Sequence, residues 1–422
     1  MTGLFYTAIS AQFGPNEVAY ILNDCDAAAL VTTPAHRDKT NGSPQPIRLD
    51  LDEWRDLISG ETTSLIADAA EGAEMLYSSG TTGHPKGVRA SRPGAPLGSV
   101  SELFRRRLVL HDITEKTVYL STAPLYHSAP LRYNNMVHRS GGTSVVMPRF
   151  DAEDSLALIE TNRVTHSQWV PTMFVRLLRL PKEARSRHDL SSHRYAIHAA
   201  APCPIGVKEA MLEWWGPILY EYYSGTEGNG QTAISPEEWL SHKGSVGRPI
   251  LGRVRITDEA GSELPAGRTG HVFFEGGPRF EYYKDPEKTA AAYNRHGWST
   301  LGDIGHVDED GYLYLTDRAS HMIITGGVNV YPREVEDVLL MHPAVQDAAV
   351  FGVPDEEFGE AVKAAVEIVP GRQVDAAELI GFCRDRLAHL KCPKTVDFHP
   401  SLPRHQTGKL YKEGLKARYW NS

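Results

Sequence analysis

At 422 residues the chain is long enough for two or three domains and a large core. Its 44 basic and 53 acidic residues give a formal net charge of -9, which argues against a nucleic-acid binder that works by neutralising phosphates. A composition of 41% hydrophobic and 23% charged residues is that of a soluble globular protein, and small-molecule chemistry is the better expectation.

The cysteines Cys25, Cys203, Cys383 and Cys392 form no C-x-x-C pair, so neither a zinc knuckle nor a disulfide framework is indicated. No apolar run reaches the roughly 18 residues of a membrane span, and the N-terminus lacks the basic segment of a secretory signal. A reduced, cytoplasmic setting is expected. The histidines show no H-E-x-x-H spacing and read as surface or core residues.

Residues 16–34 place Val18, Ile21 and Leu22 at helical spacing and then run into Ala-Ala-Ala-Leu-Val, a helix followed by a buried strand. Residues 35–74 are polar and carry no readable chemistry. Apolar Met75, Leu76 and Tyr77 then lead into Ser78-Ser79-Gly80-Thr81-Thr82-Gly83, with Lys86 close behind. Glycines admit backbone N–H groups to a polyphosphate, hydroxyls donate to its oxygens and a lysine adds positive charge. The spacing is not that of a Walker A loop, because His84-Pro85 precede Lys86 and Gly87-Val88 follow it. A polar surface turn is the plainer alternative.

Thr117 to Ala123 is strand-like, and His127 follows where the chain turns away, as a structural histidine or a ligand-facing one. From Ser144 to Pro202 strand-like runs alternate with helical ones, and Asp151 and Asp154 stand at a helix start. That alternation implies a mostly parallel sheet covered by helices, with ligands at the carboxyl ends of its strands. The loops carrying His127, Ala200-Ala201-Pro202 and Tyr223-Ser224-Gly225-Thr226-Glu227 all follow strands and can meet on one rim.

From Gly244 to Asp317 short alternating strands separated by Asp-Gly and Ala-Gly turns indicate an antiparallel subdomain. Asp303, flanked by Gly302 and Gly305, fits an exposed turn or a functional carboxylate equally well, and Arg318 could simply pair with Asp317. A glycine-centred hairpin over MIITGGVNVYP, a helix with Val335, Val338 and Leu339 on one face, and a small α/β module follow. The tail holds Lys409 after Thr407-Gly408.

Taken in this order, YSSGTTGHPKGV, YSGTE, LGDIG, TDRASHMIITGGVNVYP and PRHQTGK strongly resemble the adenylate-forming superfamily of acyl-CoA synthetases, peptide-synthetase adenylation domains and luciferases. The resemblance spans nearly the whole chain. It implies an α/β fold with layered sheets and a small antiparallel β subdomain over 1–319, then a small, mobile C-terminal α+β domain over 320–422.

By the same resemblance Ser78 to Gly83 and Lys86 hold ATP phosphates, and Tyr223 lies against adenine with Tyr222 and Ala201 nearby. Thr226 sits near the α-phosphate, Glu227 with Thr81 binds Mg²⁺, and Asp303 and Arg318 take ribose hydroxyls. Lys409 contacts carboxylate and α-phosphate, Gly326 and Gly327 flank the CoA path, and Ser320 is the hinge. His127, Ala200 and Gly225 would line a roomy pocket for a medium or long, aromatic or steroid-like acid.

The activity implied is an ATP- and Mg²⁺-dependent acid–CoA ligase, with ATP, CoA and a carboxylic acid as partners. A homodimer is compatible with it. A carrier-protein-loading adenylating enzyme and an inactive nucleotide-binding relic are the alternatives.

Three departures from the family pattern stand out. Ser320 occupies a place where Asp or Lys is usual, and Ser224 replaces a common glycine. The chain also begins where a typical member is already some way in, so an early piece of the scaffold is expected to be absent.

Overall fold

The computed structural model describes residues 3–40, 47–61, 68–78, 85–90, 94–318, 321–325, 328–404 and 410–420, with Ser78, Arg318 and Glu413 as backbone positions. Contacts divide the chain into two compact units, one of residues 1–254 and 274–299, the other of residues 255–273 and 300–422. Among the described residues no helix is long and apolar enough to cross a membrane.

The first unit is built on a seven-stranded sheet. Its order is Arg248–Leu251, Gln231–Ile234, Leu219–Tyr223, Tyr195–His198, His166–Trp169, Val118–Ser121 and Thr143–Val146. The last five pair in parallel, and the first two join antiparallel.

Successive strand residues point to opposite faces. Accordingly Tyr119 packs with Tyr133, Met136, Val137, Ile197 and Tyr222 on one side, while Leu120 packs with Leu156, Ile159, Trp169, Phe174 and Leu219 on the other. The central strands are buried on both faces, polar members such as His166, Ser167 and Gln168 included. The helix Ala152–Thr161 starts as expected, because the Asp151 carboxylate accepts from the backbone N–H groups of Glu153 and Asp154.

Two smaller pieces of the first unit matter for the site. The strand Lys86–Arg89 lies between Leu76–Ser78 and Glu281–Tyr282, antiparallel to both. Just before them, Ala73–Glu74 pairs in parallel with Phe5–Tyr6. The polar stretch before residue 74 also folds a strand, Ile47–Asp50, and a helix, Leu51–Ser59, capped by Asp50.

Most residues of the expected antiparallel sheet, in the order Arg253–Thr257, Gly270–Glu275, Asp303–Val307 and Leu313–Arg318, belong to the second unit. The small α+β part follows. Gly359–Ile368 runs antiparallel to Val345–Asp355 and parallel to Thr395–His399, under the helices Pro332–Leu340 and Ala376–Arg384. Val335, Val338 and Leu339 face its core as their spacing implies. All four cysteines are free.

Candidate active site

The first arm of the site is a hairpin. Ser78 stands opposite Lys86 in antiparallel register, so the Ser/Thr/Gly run leaves and re-enters the sheet at neighbouring backbone positions. Ser79, Gly80, Thr81, Thr82 and Gly83 lie outside the described residues.

Lys86 Nζ is 3.0 Å from Asp285 Oδ2, and that carboxylate raises the lysine's pKa above its ordinary value. Asp285 also caps the helix Pro286–Ala291 by accepting from the Lys288 N–H. Lys288 Nζ rests 4.3 Å from the centre of the Tyr282 ring. Burial, and then the like charge of Lys86, lower its pKa. Tyr282 donates its hydroxyl to Glu227 Oε1 at 2.9 Å. Two ammonium groups and two carboxylates therefore gather around one short strand, and of the four the sequence singles out Lys86 and Glu227 but not Lys288 or Asp285.

The second arm is the loop after Leu219–Tyr223. Tyr222 belongs to the core: it is 5% exposed, accepts from Gln168 Nε2 at 3.1 Å and lies under the Arg107 guanidinium. Of the tyrosine pair only Tyr223, on the opposite strand face beside the Phe274 ring, keeps a place for the adenine contact that the resemblance implies.

The loop is closed on itself. Ser224 Oγ donates to the Gly230 carbonyl at 2.7 Å, and the Gly228 N–H donates to the Gly225 carbonyl at 3.2 Å. Ser224, at the usual glycine position, thus braces the turn. Gly230 has no room for a side chain, because a Cβ there would lie 2.1 Å from the Phe274 ring.

The third arm starts at His127, the residue before the helix Ser128–Arg139. Its ring lies 4.2 Å from that of Tyr126, and burial pushes its pKa down to about 4, so the imidazole is neutral at neutral pH. One residue on, Ser128 Oγ is 3.2 Å from Thr226 Oγ1. One turn further, Arg132 donates from Nη2 to the Thr226 carbonyl at 2.9 Å and from Nε to Glu74 Oε1 at 2.7 Å. Neither Arg132 nor Glu74 is distinguishable by sequence motif.

The fourth arm follows Tyr195–His198. His198 is the register partner of Glu221, so the Ala200 loop and the Thr226 loop leave the carboxyl ends of adjacent parallel strands. The fully buried Lys208 reaches Glu221 Oε2 at 2.6 Å and fixes that junction from below. Ala200 has φ of +74°, in the left-handed region that costs an L-residue about 1–2 kcal/mol. Both Ala200 and Ala201 are exposed.

In the second unit, Asp303 is 8% exposed and stands opposite Arg318 in the antiparallel pair. The neighbouring Asp317 accepts from the Arg333 N–H at 2.9 Å and lies 3.3 Å from His321 Nδ1. Ile323–Thr325 and Val328–Val330 pair with Thr325 opposite Val328, while Gly326, Gly327, Ser320 and Lys409 lie outside the described residues.

This combination of a hydroxyl- and glycine-rich hairpin, a Thr-Glu loop at the carboxyl end of a parallel sheet and a small α+β unit defines a class. The AMP-binding enzyme family matches residues 1–283, and the AMP-binding enzyme C-terminal domain matches residues 334–409. The chain belongs to this acyl-adenylate-forming superfamily, in its acyl-CoA synthetase or carboxylic acid–CoA ligase branch.

A feruloyl-CoA synthase from Amycolatopsis sp is 32% identical over 99% of this chain and 84% of its own length. An octahydroindenyl-propanoyl:CoA ligase of Mycobacterium tuberculosis is 36% identical over 88% of this chain and 73% of its own. Among solved structures, ATP-bound MatB from Rhodopseudomonas palustris superposes with a TM-score of 0.85 at 29% identity, covering 98% of this chain and 84% of that one.

Proposed function

We propose that the protein is an ATP-dependent acid–CoA ligase that forms an acyl-AMP and pyrophosphate and then acyl-CoA and AMP. The observation that carries this reading is the junction of Ser128 and Arg132 with Thr226. It joins the helix behind His127, expected beside the acid, to the loop expected beside the α-phosphate. The ATP-bound state of MatB and the CoA-ligase activities named for the two sequence relatives support it.

A carboxylate attacking the α-phosphorus brings two anions together, so positive charge must be in place beforehand. Lys86 and Lys288 supply it from this unit, and Lys409 is the third candidate. The Glu227 carboxylate takes a hydroxyl donor, Tyr282, and among the described residues no basic side chain lies within ion-pair distance. Such a hard, half-buried oxygen donor fits Mg²⁺, which when bound would neutralise charge on the phosphate oxygens. Thr81 would be its companion.

The neutral His127 and the small Ala200 and Gly225 suit an apolar acyl group, and we assign a medium or long-chain, aromatic or steroid-like acid. The pivot at Ser320, dividing 1–319 from 320–422, and a cytoplasmic location are part of the same reading.

Pyrophosphate release from ATP across a panel of carboxylic acids, with and without CoA, tests it. Release together with acyl-CoA is expected. Release without CoA consumption would move the acceptor to a carrier protein, and no release with any acid would leave only nucleotide binding.

A further inference from the structure

Arg132 is not part of any motif read from the sequence, yet it joins three elements of the site. It sits on the second turn of the helix Ser128–Arg139. Its Nε holds Glu74, the end of the strand Ala73–Glu74 and two residues before the strand Leu76–Ser78 that feeds the Ser/Thr/Gly loop, and its Nη2 holds the carbonyl of Thr226. Both side chains of the pair are only about one-fifth exposed, at 18% and 22%. Burial alone would raise the Glu74 pKa, but the guanidinium more than offsets it and holds the carboxyl below its usual range.

Glu74 is braced in turn by the Tyr6 hydroxyl at 3.5 Å, and Asn135 Nδ2 donates to that hydroxyl at 3.1 Å. Asn135 stands on the same helix, so the chain of contacts returns to its start. A planar guanidinium can serve two acceptors in fixed directions, which a lysine cannot.

Resting on the proposed ligase reading, we infer that Arg132 is a positioning residue. By bridging Glu74 and the Thr226 carbonyl it fixes Thr226 between the strand leading to the phosphate loop and the helix behind His127. Ser128 completes the hold from the side-chain oxygen of Thr226. The consequence is a mechanical link between the acid side and the nucleotide side of the site. Thr226 is correctly placed only while the first two turns of that helix are.

A double-mutant cycle between Arg132 and Thr226 tests this. Arg132→Met should lower kcat of acid-dependent pyrophosphate release about 10- to 100-fold, the cost of displacing a reacting contact by about 1 Å, with KM for ATP changed less than about 3-fold. In the Thr226→Ala background the same change should cost less than about 3-fold, because the group that Arg132 places is already gone. Arg132→Lys should recover part of the loss.

Equal cost in both backgrounds would overturn the inference, as would a loss that appears in KM for the acid instead of kcat. Because Arg132→Met leaves Glu74 without its partner, Arg132→Met with Glu74→Gln is the variant to use if the single one fails to fold. The same cycle read by calorimetry of a non-hydrolysable acyl-adenylate analogue, which resembles the reacting state that Thr226 is placed for more than free nucleotide does, needs no turnover. Coupling there in a protein that releases no pyrophosphate would sink the ligase reading and keep the positioning role, whereas turnover without coupling would do the reverse.

Discussion

Lys86, the lysine that closes the Ser/Thr/Gly run, is held 3.0 Å from Asp285, the capping residue of the helix Pro286–Ala291. The cation expected to meet phosphate is already paired with an acid, and a triphosphate has to compete for it. Both side chains are about one-quarter to one-third exposed, at 24% and 33%, so the pair is worth no more than about 1 kcal/mol. Asp285→Asn keeps an oxygen for the helix cap and removes the competing charge. It should lower KM for ATP about 2- to 5-fold, while Lys86→Met raises it. A higher KM in Asp285→Asn would make the carboxylate a partner of the nucleotide site, not its competitor.

Glu227→Gln preserves shape and the Tyr282 contact but removes the charge proposed to hold Mg²⁺. Titration of activity against Mg²⁺ should shift to higher concentration, with adenylation reduced by about 10²-fold, the scale of losing one transition-state stabiliser. Tyr282→Phe leaves the charge and removes only the brace, so its Mg²⁺ curve should move in the same direction by a smaller amount. An unchanged curve in Glu227→Gln would make Glu227 structural.

The legible part of this protein was the part encoded locally. Strand-like runs alternating with helical ones, such as those around His166–Trp169 and Tyr195–His198, do form the parallel sheet, and the spacing of Val18, Ile21 and Leu22 does bury one helix face. Contacts that close over long sequence distances were not legible. Arg132 meets Glu74 across 58 positions and Thr226 across 94. Nothing in the residues beside Arg132 distinguishes it from a solvated arginine. Tyr222 and Tyr223 look alike in sequence, and only the strand's pleat decides that the first is core. The positive φ of Ala200 left no signal either, because the usual marker of that conformation is glycine.

Histidines of the first unit make stability depend on pH. Burial pushes His111 and His193 down to about 3, and His127 and His166 down to about 4. Their unfolded value is about 6.5. The folded state therefore favours the neutral ring and the unfolded chain binds more protons, so the stabilisation is fully present above about pH 6.5 and is lost as pH falls towards the folded values. Between about pH 6.5 and 5 most carboxylates remain ionised, so denaturant midpoints there should fall steadily on acidification. Each histidine contributes up to about 1.4 kcal/mol per pH unit. His193→Gln should flatten the slope whatever it does to the midpoint at neutral pH. A flat profile over that range would show that these rings gain protons without unfolding.

Lys409 is the residue proposed to serve the first of the two half-reactions. Its case rests on charge, since the residue lies outside the described structure. When the acid carboxylate approaches the α-phosphate, two anionic groups share one transition state, and an ammonium that bridges them lowers the barrier most at that moment. Thioester formation starts from a mixed anhydride whose acyl carbon is attacked by a thiol, and no second carboxylate has to be brought against phosphate. Lys409→Ala should therefore reduce acid-dependent pyrophosphate release at least about 100-fold. Acyl-CoA formation from supplied acyl-AMP should fall far less, and Lys409→Arg should restore only part of the first step because the guanidinium is wider than an ammonium. Measuring both half-reactions on one preparation separates this role from misfolding, which would lower them together; equal losses in a folded variant would remove Lys409 from the adenylation step.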